Sequence, residues 1–254
     1  MMIRAEGISK RYGSFQAVHP MDLEVRAGEV FGFLGLNGAG KTTTLRMLGG
    51  VLPPTTGRIW IDGVDAQADA VEARRRTGFI PDRPYLYDKL TAREFLRFRG
   101  QVYGMDAHTL DGDVDARLEE QLLVPQADAL IESFSHGMKQ RLTLAGALLT
   151  RPRLLIVDEP MVGLDPRGAK QIKGVFRAIA AEGRTVFLST HTLDVAAEVC
   201  DRLAIVHQGR IAVMGTLPEV VTAGETLEDV FLRITGVSGA AATDIADDVQ
   251  GAGG

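Results

Sequence analysis

One short run constrains this chain more than any other part of it. Gly35-Leu36-Asn37-Gly38-Ala39-Gly40-Lys41-Thr42 fits the pattern G-x-x-x-x-G-K-[ST], a turn whose backbone N–H groups point inward around phosphate oxygens. Such a turn needs a buried strand before it and a helix after it, and the sequence supplies both. Val30–Leu34 (VFGFL) is a compact apolar run, as a strand buried on both faces would be. From about Lys41 to Leu48 the texture is helical, and Gly49-Gly50 stops it. The helix would add its positive N-terminal end to the loop. Lys41 would reach the β- and γ-phosphates, and the Thr42 hydroxyl would ligate Mg²⁺. The loop predicts a nucleoside triphosphate site.

A second cluster points to the same chemistry. Leu154-Leu155-Ile156-Val157 is an apolar strand that ends in Asp158-Glu159-Pro160. Burying the strand puts both carboxylates at its C-terminal end, where ligands of open α/β sheets collect. There Asp158 can hold Mg²⁺ through water. Glu159 can orient and polarise an attacking water.

Beyond these clusters the pattern alternates. Short strands are expected at Met2–Ala5, Met21–Val25 and 57–63. Helices are expected at Ala92–Tyr103, Ala116–Leu123 and Lys139–Leu149. After Leu154, strand and helix alternate to Met214, and a short amphipathic helix spans Leu227–Ile234. Strands alternating with helices predict an α/β fold with a parallel sheet covered on both faces, and the helical block at 82–150 is an insert between two of its strands.

Composition excludes several classes. A net charge of −5 gives no sign of nucleic acid as a partner. The single cysteine, Cys200, fits a reducing compartment. No apolar run approaches the roughly 18 residues of a membrane span, and the first residues lack the apolar core of a signal peptide. A membrane role would be peripheral, from the cytoplasmic side.

Phe134-Ser135-His136-Gly137-Met138-Lys139-Gln140-Arg141 resembles the signature motif of ATP-binding cassette proteins, usually L-S-G-G-Q followed by basic residues. His136 and Met138 depart from it, and Ser135 and Gly137 match. Further marks follow the family's order: Tyr12 where an aromatic stacks on adenine, Gly163-Leu164-Asp165 like the loop crossing the dimer interface, and Ser189-Thr190-His191 like the switch histidine. Asp82, in Gly78-Phe79-Ile80-Pro81-Asp82, replaces the family's usual metal-contacting glutamine.

The resemblance implies a phosphate-loop NTPase core with a parallel-rich sheet, an N-terminal antiparallel β-subdomain and the inserted helical subdomain. It covers 1–218, followed by a short helical extension (219–235) and a disordered tail (236–254). It implies ATP held by Tyr12 and by Gly35, Leu36, Asn37, Gly38, Ala39, Gly40, Lys41, Thr42 and Thr43. Thr42, Asp158 and Asp82 would face Mg²⁺, and Glu159 and His191 would be catalytic. Ser135, His136 and Gly137 would act in trans on the nucleotide of a second cassette, across an interface that includes Asp165. Both half-sites are intact, which favours a homodimer.

The expected function is ATP hydrolysis driving a separately encoded transmembrane permease, as in exporters. The ring-rich stretch Asp82–Tyr87 would be its docking surface. The alternative is a soluble cassette ATPase, for example in cluster assembly. DNA-repair cassettes carry long coiled-coil insertions and translation factors carry tandem cassettes, and the sequence has neither.

Overall fold

The computed structural model describes residues 1–236 apart from 84, 163 and 223. Gly163 and nearly all of the expected disordered tail therefore lie outside the described residues. The chain runs β1 (Ile3–Tyr12), β2 (Phe15–Val25), β3 (Val30–Leu34), α1 (Lys41–Leu48), β4 (Thr56–Ile61), β5 (Val64–Asp65), α2 (Ala70–Arg75) and β6 (Thr77–Ile80). Three longer helices follow: α3 (Ala92–Val102), α4 (Ala107–Glu120) and α5 (His136–Leu149). The chain then alternates through β7 (Leu154–Asp158), α6 (Pro166–Ala181), β8 (Thr185–Thr190), α7 (Leu193–Val199), β9 (Arg202–His207) and β10 (Arg210–Thr216). It closes with α8 (Leu217–Val220) and α9 (Leu227–Thr235).

Two sheets form. The larger has the order β10-β9-β3-β8-β7-β6 and is parallel except where β10 returns antiparallel to β9. The smaller, β2-β1-β4-β5, is antiparallel throughout. One core layer lies between them, where Phe31 and Phe33 of β3 pack on Phe187 of β8 with ring centroids 5.4 and 5.5 Å apart. The other face of the large sheet buries Val30, Val186 and Leu188 against Ile172, Phe176 and Ile179 of α6. Since β3 and β7 are both central, every residue of each is buried, which is why their sequences read as unbroken apolar runs.

Two expectations are corrected. The first strands are long arms of a hairpin, not short segments. Register shifts between Ala5 and Ile8, Ile8 and Lys10, and Lys10 and Arg11 break the simple alternation that would have marked their full length. The helix expected from Ala116 to Leu123 begins at Ala107 and ends at Glu120. Asp106 caps it by accepting the His108 N–H at 2.9 Å. Its buried stripe of Leu110, Val114 and Leu118 is thin, because Asp111, Gly112, Asp113 and Asp115 crowd the intervening positions.

The helices α3, α4 and α5 form a separate core from Phe95, Leu96, Leu110, Val114, Leu142 and Leu149, inserted between the adjacent parallel strands β6 and β7. Gly112 sits on the exposed face of α4, and a Cβ there would meet nothing within 4 Å. Gly112→Ala should therefore raise unfolding stability by about 0.5–1 kcal/mol, through lower unfolded-state entropy alone. A higher urea midpoint with an unchanged slope is the expected reading, and a lower midpoint would show an unrecognised contact at this site. Among the described residues no helix is long and apolar enough to cross a membrane.

Candidate active site

The phosphate loop joins β3 to α1 at the C-terminal edge of the parallel strands. Two of its glycines are required by geometry. A Cβ on Gly35 would lie 2.5 Å from the Val206 carbonyl oxygen. Gly40 has φ 96° and lies against the Ala17 carbonyl, 2.8 Å from where a Cβ would stand. Gly40 also occupies the N-cap of α1 without any side-chain cap, so the first-turn N–H groups stay available to an anion. Lys41 is buried beneath the loop. Its ammonium donates to the carbonyls of Gly35 (2.7 Å) and Leu36 (3.3 Å) and lies 3.3 Å from Glu159 Oε1.

Asp158 ends β7 and is buried, and Glu159 follows with φ +50°, a conformation non-glycine residues adopt at a cost. Ser189 of β8 holds both. It is paired in register with Asp158, and its hydroxyl donates to Asp158 Oδ1 while accepting the Glu159 N–H at 3.1 Å. The Glu159 N–H also reaches the Ser189 carbonyl at 3.2 Å. The Glu159 side chain is then fixed at its far end, where His191 Nδ1 lies 3.0 Å from Oε2.

Charge balance follows from this packing. Burial pushes the Glu159 carboxyl up, but the His191 hydrogen bond and the nearby Lys41 and His191 charges outweigh it, leaving the group below the ordinary carboxylate range. The bond to Glu159 holds His191 above the ordinary imidazole value, against partial burial.

An open cleft of about 760 Å³, of the size small-molecule sites have, gathers most of the expected nucleotide contacts. Tyr12, Leu36, Asn37, Gly38, Gly40, Lys41, Thr42 and Thr43 line it together with Asp82, Glu159 and His191. Gly35 and Ala39 form the loop beneath. Asp158 lies just behind, beside Asp82 and Glu159 in a smaller hollow.

The acids suit a shared metal. Glu159 Oε1 is buried with the Lys41 ammonium nearby but no hydrogen bond. Among the described residues no cluster of three His, Cys, Asp or Glu side chains could hold an ion alone. Asp82 lines the cleft with Thr42 and the smaller hollow with Asp158, donors of the kind suited to an Mg²⁺ that keeps substrate phosphates and water as its other ligands.

Three contributors were missed from the sequence. In the sequence Ser189 stands only as the first residue of Ser189-Thr190-His191. Its role depends on strand pairing, which no local signal reveals. Phe15, opposite Tyr12 in the hairpin, is 66% exposed in the cleft, and Arg83 lines it too. Ser189→Ala leaves Asp158 and Glu159 short of a buried hydroxyl partner, a loss of about 1–3 kcal/mol. If half of it falls on the transition state, turnover drops by about two- to tenfold. Thermal unfolding and steady-state phosphate release on the same variant measure the two parts.

The signature residues stand elsewhere. Ser135 caps α5, accepting the Met138 N–H at 3.3 Å, and His136 is exposed beside it. Ser135 and Gly137 line a second cleft of about 470 Å³ together with Asp165, which caps α6 by accepting the Gly168 N–H at 2.8 Å. The fold thus does not bring them to the phosphate loop of their own chain.

The profile of the ABC transporter family matches residues 18–162, more than half of the chain, and takes in the phosphate loop, the signature helix and both carboxylates. The chain belongs to the ABC transporter family. Nod factor export ATP-binding protein I of Ralstonia nicotianae is 38% identical over 221 residues, 87% of this chain and 69% of the relative. A solved ATP-binding subunit of an ABC transporter superposes with a TM-score of 0.86 at 31% identity, covering 92% of this chain and 99% of the other. A bacterial ABC transporter cassette solved as a dimer is 25% identical with a TM-score of 0.78, covering 85% and 98%. The protein is an ABC ATPase that binds ATP, with a phosphate-loop NTPase core.

Proposed function

We propose that this ABC ATPase is the motor subunit of an exporter, working as a homodimer that closes around ATP at the cytoplasmic face of a separately encoded permease. One observation carries the dimer: the phosphate loop and the signature residues lie in two different clefts of the chain. A Cβ on Gly137 would meet nothing within 4 Å, so the chain's own packing does not require glycine there. It does suit close approach by a nucleotide held on another subunit, at the N-terminal end of α5.

In the closed pair, the loop amides and Lys41 bind the phosphates, Tyr12 and Phe15 flank the base, and Thr42, Asp158 and Asp82 would hold Mg²⁺. When bound, that ion offsets charge on the β- and γ-phosphates. The Glu159 carboxylate, aimed by Ser189 and His191, accepts the proton of the attacking water. Ser135, His136 and Gly137 of the opposite subunit stabilise charge on the transferring group. Loss of the γ-phosphate removes the contacts joining the subunits, which gives the two states their differential affinity.

The permease is supported by exposed rings. Tyr85 and Tyr87 are 86% and 58% exposed, with Phe98 of α3 set edge-on to Tyr87 at 5.6 Å. An apolar group of this kind beside the cleft favours a protein partner over a soluble ATPase. The export direction is that of the Nod factor relative. The test is to tag the Glu159→Gln protein in its own cells, trap it with Mg-ATP and identify what the membrane fraction yields. Recovery of one multi-spanning protein supports the exporter reading. Soluble partners alone, with the cassette absent from membranes, would leave an ATPase and remove the transporter.

A further inference from the structure

Gln140 lies one turn into α5, past the signature residues, and its side chain leaves the helix. Its Nε2 donates to the Val162 carbonyl at 2.8 Å. Val162 in turn donates its N–H to the Glu159 carbonyl at 3.3 Å. The Glu159 N–H is held by Ser189, whose hydroxyl reaches Asp158. A series of hydrogen bonds therefore runs from the helix that presents Ser135 and Gly137 through the Glu159 backbone to the Asp158 carboxylate of the same chain.

The other half of the Gln140 amide is spent differently. Oε1 is buried and has no hydrogen-bond partner among the described residues. An unsatisfied buried acceptor is a cost, so an apolar side chain of equal length would serve packing at least as well. The glutamine is poorly explained by stability and well explained by where its nitrogen holds the 159–162 turn.

We infer that Gln140 is a positioning residue that makes hydrolysis at one ATP site depend on occupancy of the other. The inference rests on the proposed trans role of Ser135 and Gly137. A nucleotide on the opposite subunit bears on the N-terminus of α5. Through Gln140 any shift of that helix moves the Val162 carbonyl, and with it the turn that sets the Glu159 carboxylate. Rigid elements joined by a few directional bonds are the physical means by which two sites share an equilibrium, and coupling of this kind shows in binding as well as rate.

The test uses the full-length homodimer and two variants, Gln140→Met and Gln140→Glu. Methionine fills the same volume without the donor, and glutamate sets an acceptor against the Val162 carbonyl. Three quantities are read: the thermal midpoint, affinity for a fluorescent ATP analogue at subunit concentrations too low for pairing, and the ATP dependence of turnover. Gln140→Met should keep or raise the midpoint and leave monomer affinity within twofold. It should lower kcat about tenfold and bring the Hill coefficient from above 1 towards 1. Gln140→Glu should do the same to kcat and the Hill coefficient.

A Gln140→Met protein with wild-type kcat and Hill coefficient overturns the inference, as does one whose midpoint and monomer affinity fall together with kcat. The dimer reading fails separately. If the wild type neither pairs on Mg-ATP nor shows a Hill coefficient above 1, the trans arrangement goes, and the coupling role goes with it.

Discussion

Glu159→Gln should lower ATP turnover by roughly 10²–10⁴-fold while Mg-ATP binding survives. The substitution keeps the shape of the side chain, and the two backbone bonds from the residue 159 N–H to Ser189 do not involve it. The positive φ is likewise unaffected. What the amide cannot do is take a proton from water, or face the Lys41 ammonium 3.3 Å away as an anion. The ATP-bound pair should therefore accumulate, visible as an ATP-dependent dimer on size exclusion that wild type forms only transiently. Phosphate release under single-turnover conditions measures the chemical step directly. A loss of less than tenfold would remove Glu159 from the role of base, because the chain would then be activating water by another group.

That site was legible in sequence to the extent that its parts are local. The phosphate loop, the Asp158-Glu159 pair and the α5 N-terminus each occupy a few consecutive residues, and in the loop Gly35 and Gly40 meet close backbone contacts that fix residue type. Non-local parts left no such mark. Ser189 meets Asp158 only because β8 lies in register beside β7. Phe15 joins Tyr12 only because a hairpin turns between them. Lys41 meets Glu159 across more than a hundred residues of chain.

The fold divides the same way. β3 and β7 announced themselves because both faces are buried. The bulged hairpin of β1 and β2 and the acid-rich front of α4 did not, since their periodicity is broken or diluted. Asp82 is a different case. It departs from the family's usual glutamine, and it lines the cleft with Thr42 and Glu159, where its extra negative charge would bear on Mg²⁺. Asp82→Asn should weaken Mg²⁺-dependent ADP binding and spare binding without metal.

His191→Ala should move the acid limb of turnover to higher pH, beyond lowering its plateau. The imidazole lies 3.0 Å from Glu159 Oε2, and the two groups shift each other in opposite directions. Glu159 is depressed, so its ionised form is favoured in the folded protein. That contribution to stability is present above the ordinary carboxylate range and is lost as pH falls through the depressed value. His191 is raised, so its contribution is complete below its ordinary value of 6.5 and is lost as pH rises through the raised one. Removing the imidazole takes away the chief influence holding Glu159 down and leaves burial, which pushes it up, opposed only by the Lys41 ammonium. Wild-type kcat should stay level through the ordinary carboxylate range, about pH 4–5, where the variant already falls. His191→Gln, which can still donate to Oε2 but carries no charge, should lie between them. Coincident acid limbs for all three proteins would mean that His191 does not set the charge state of Glu159 and acts on the nucleotide alone.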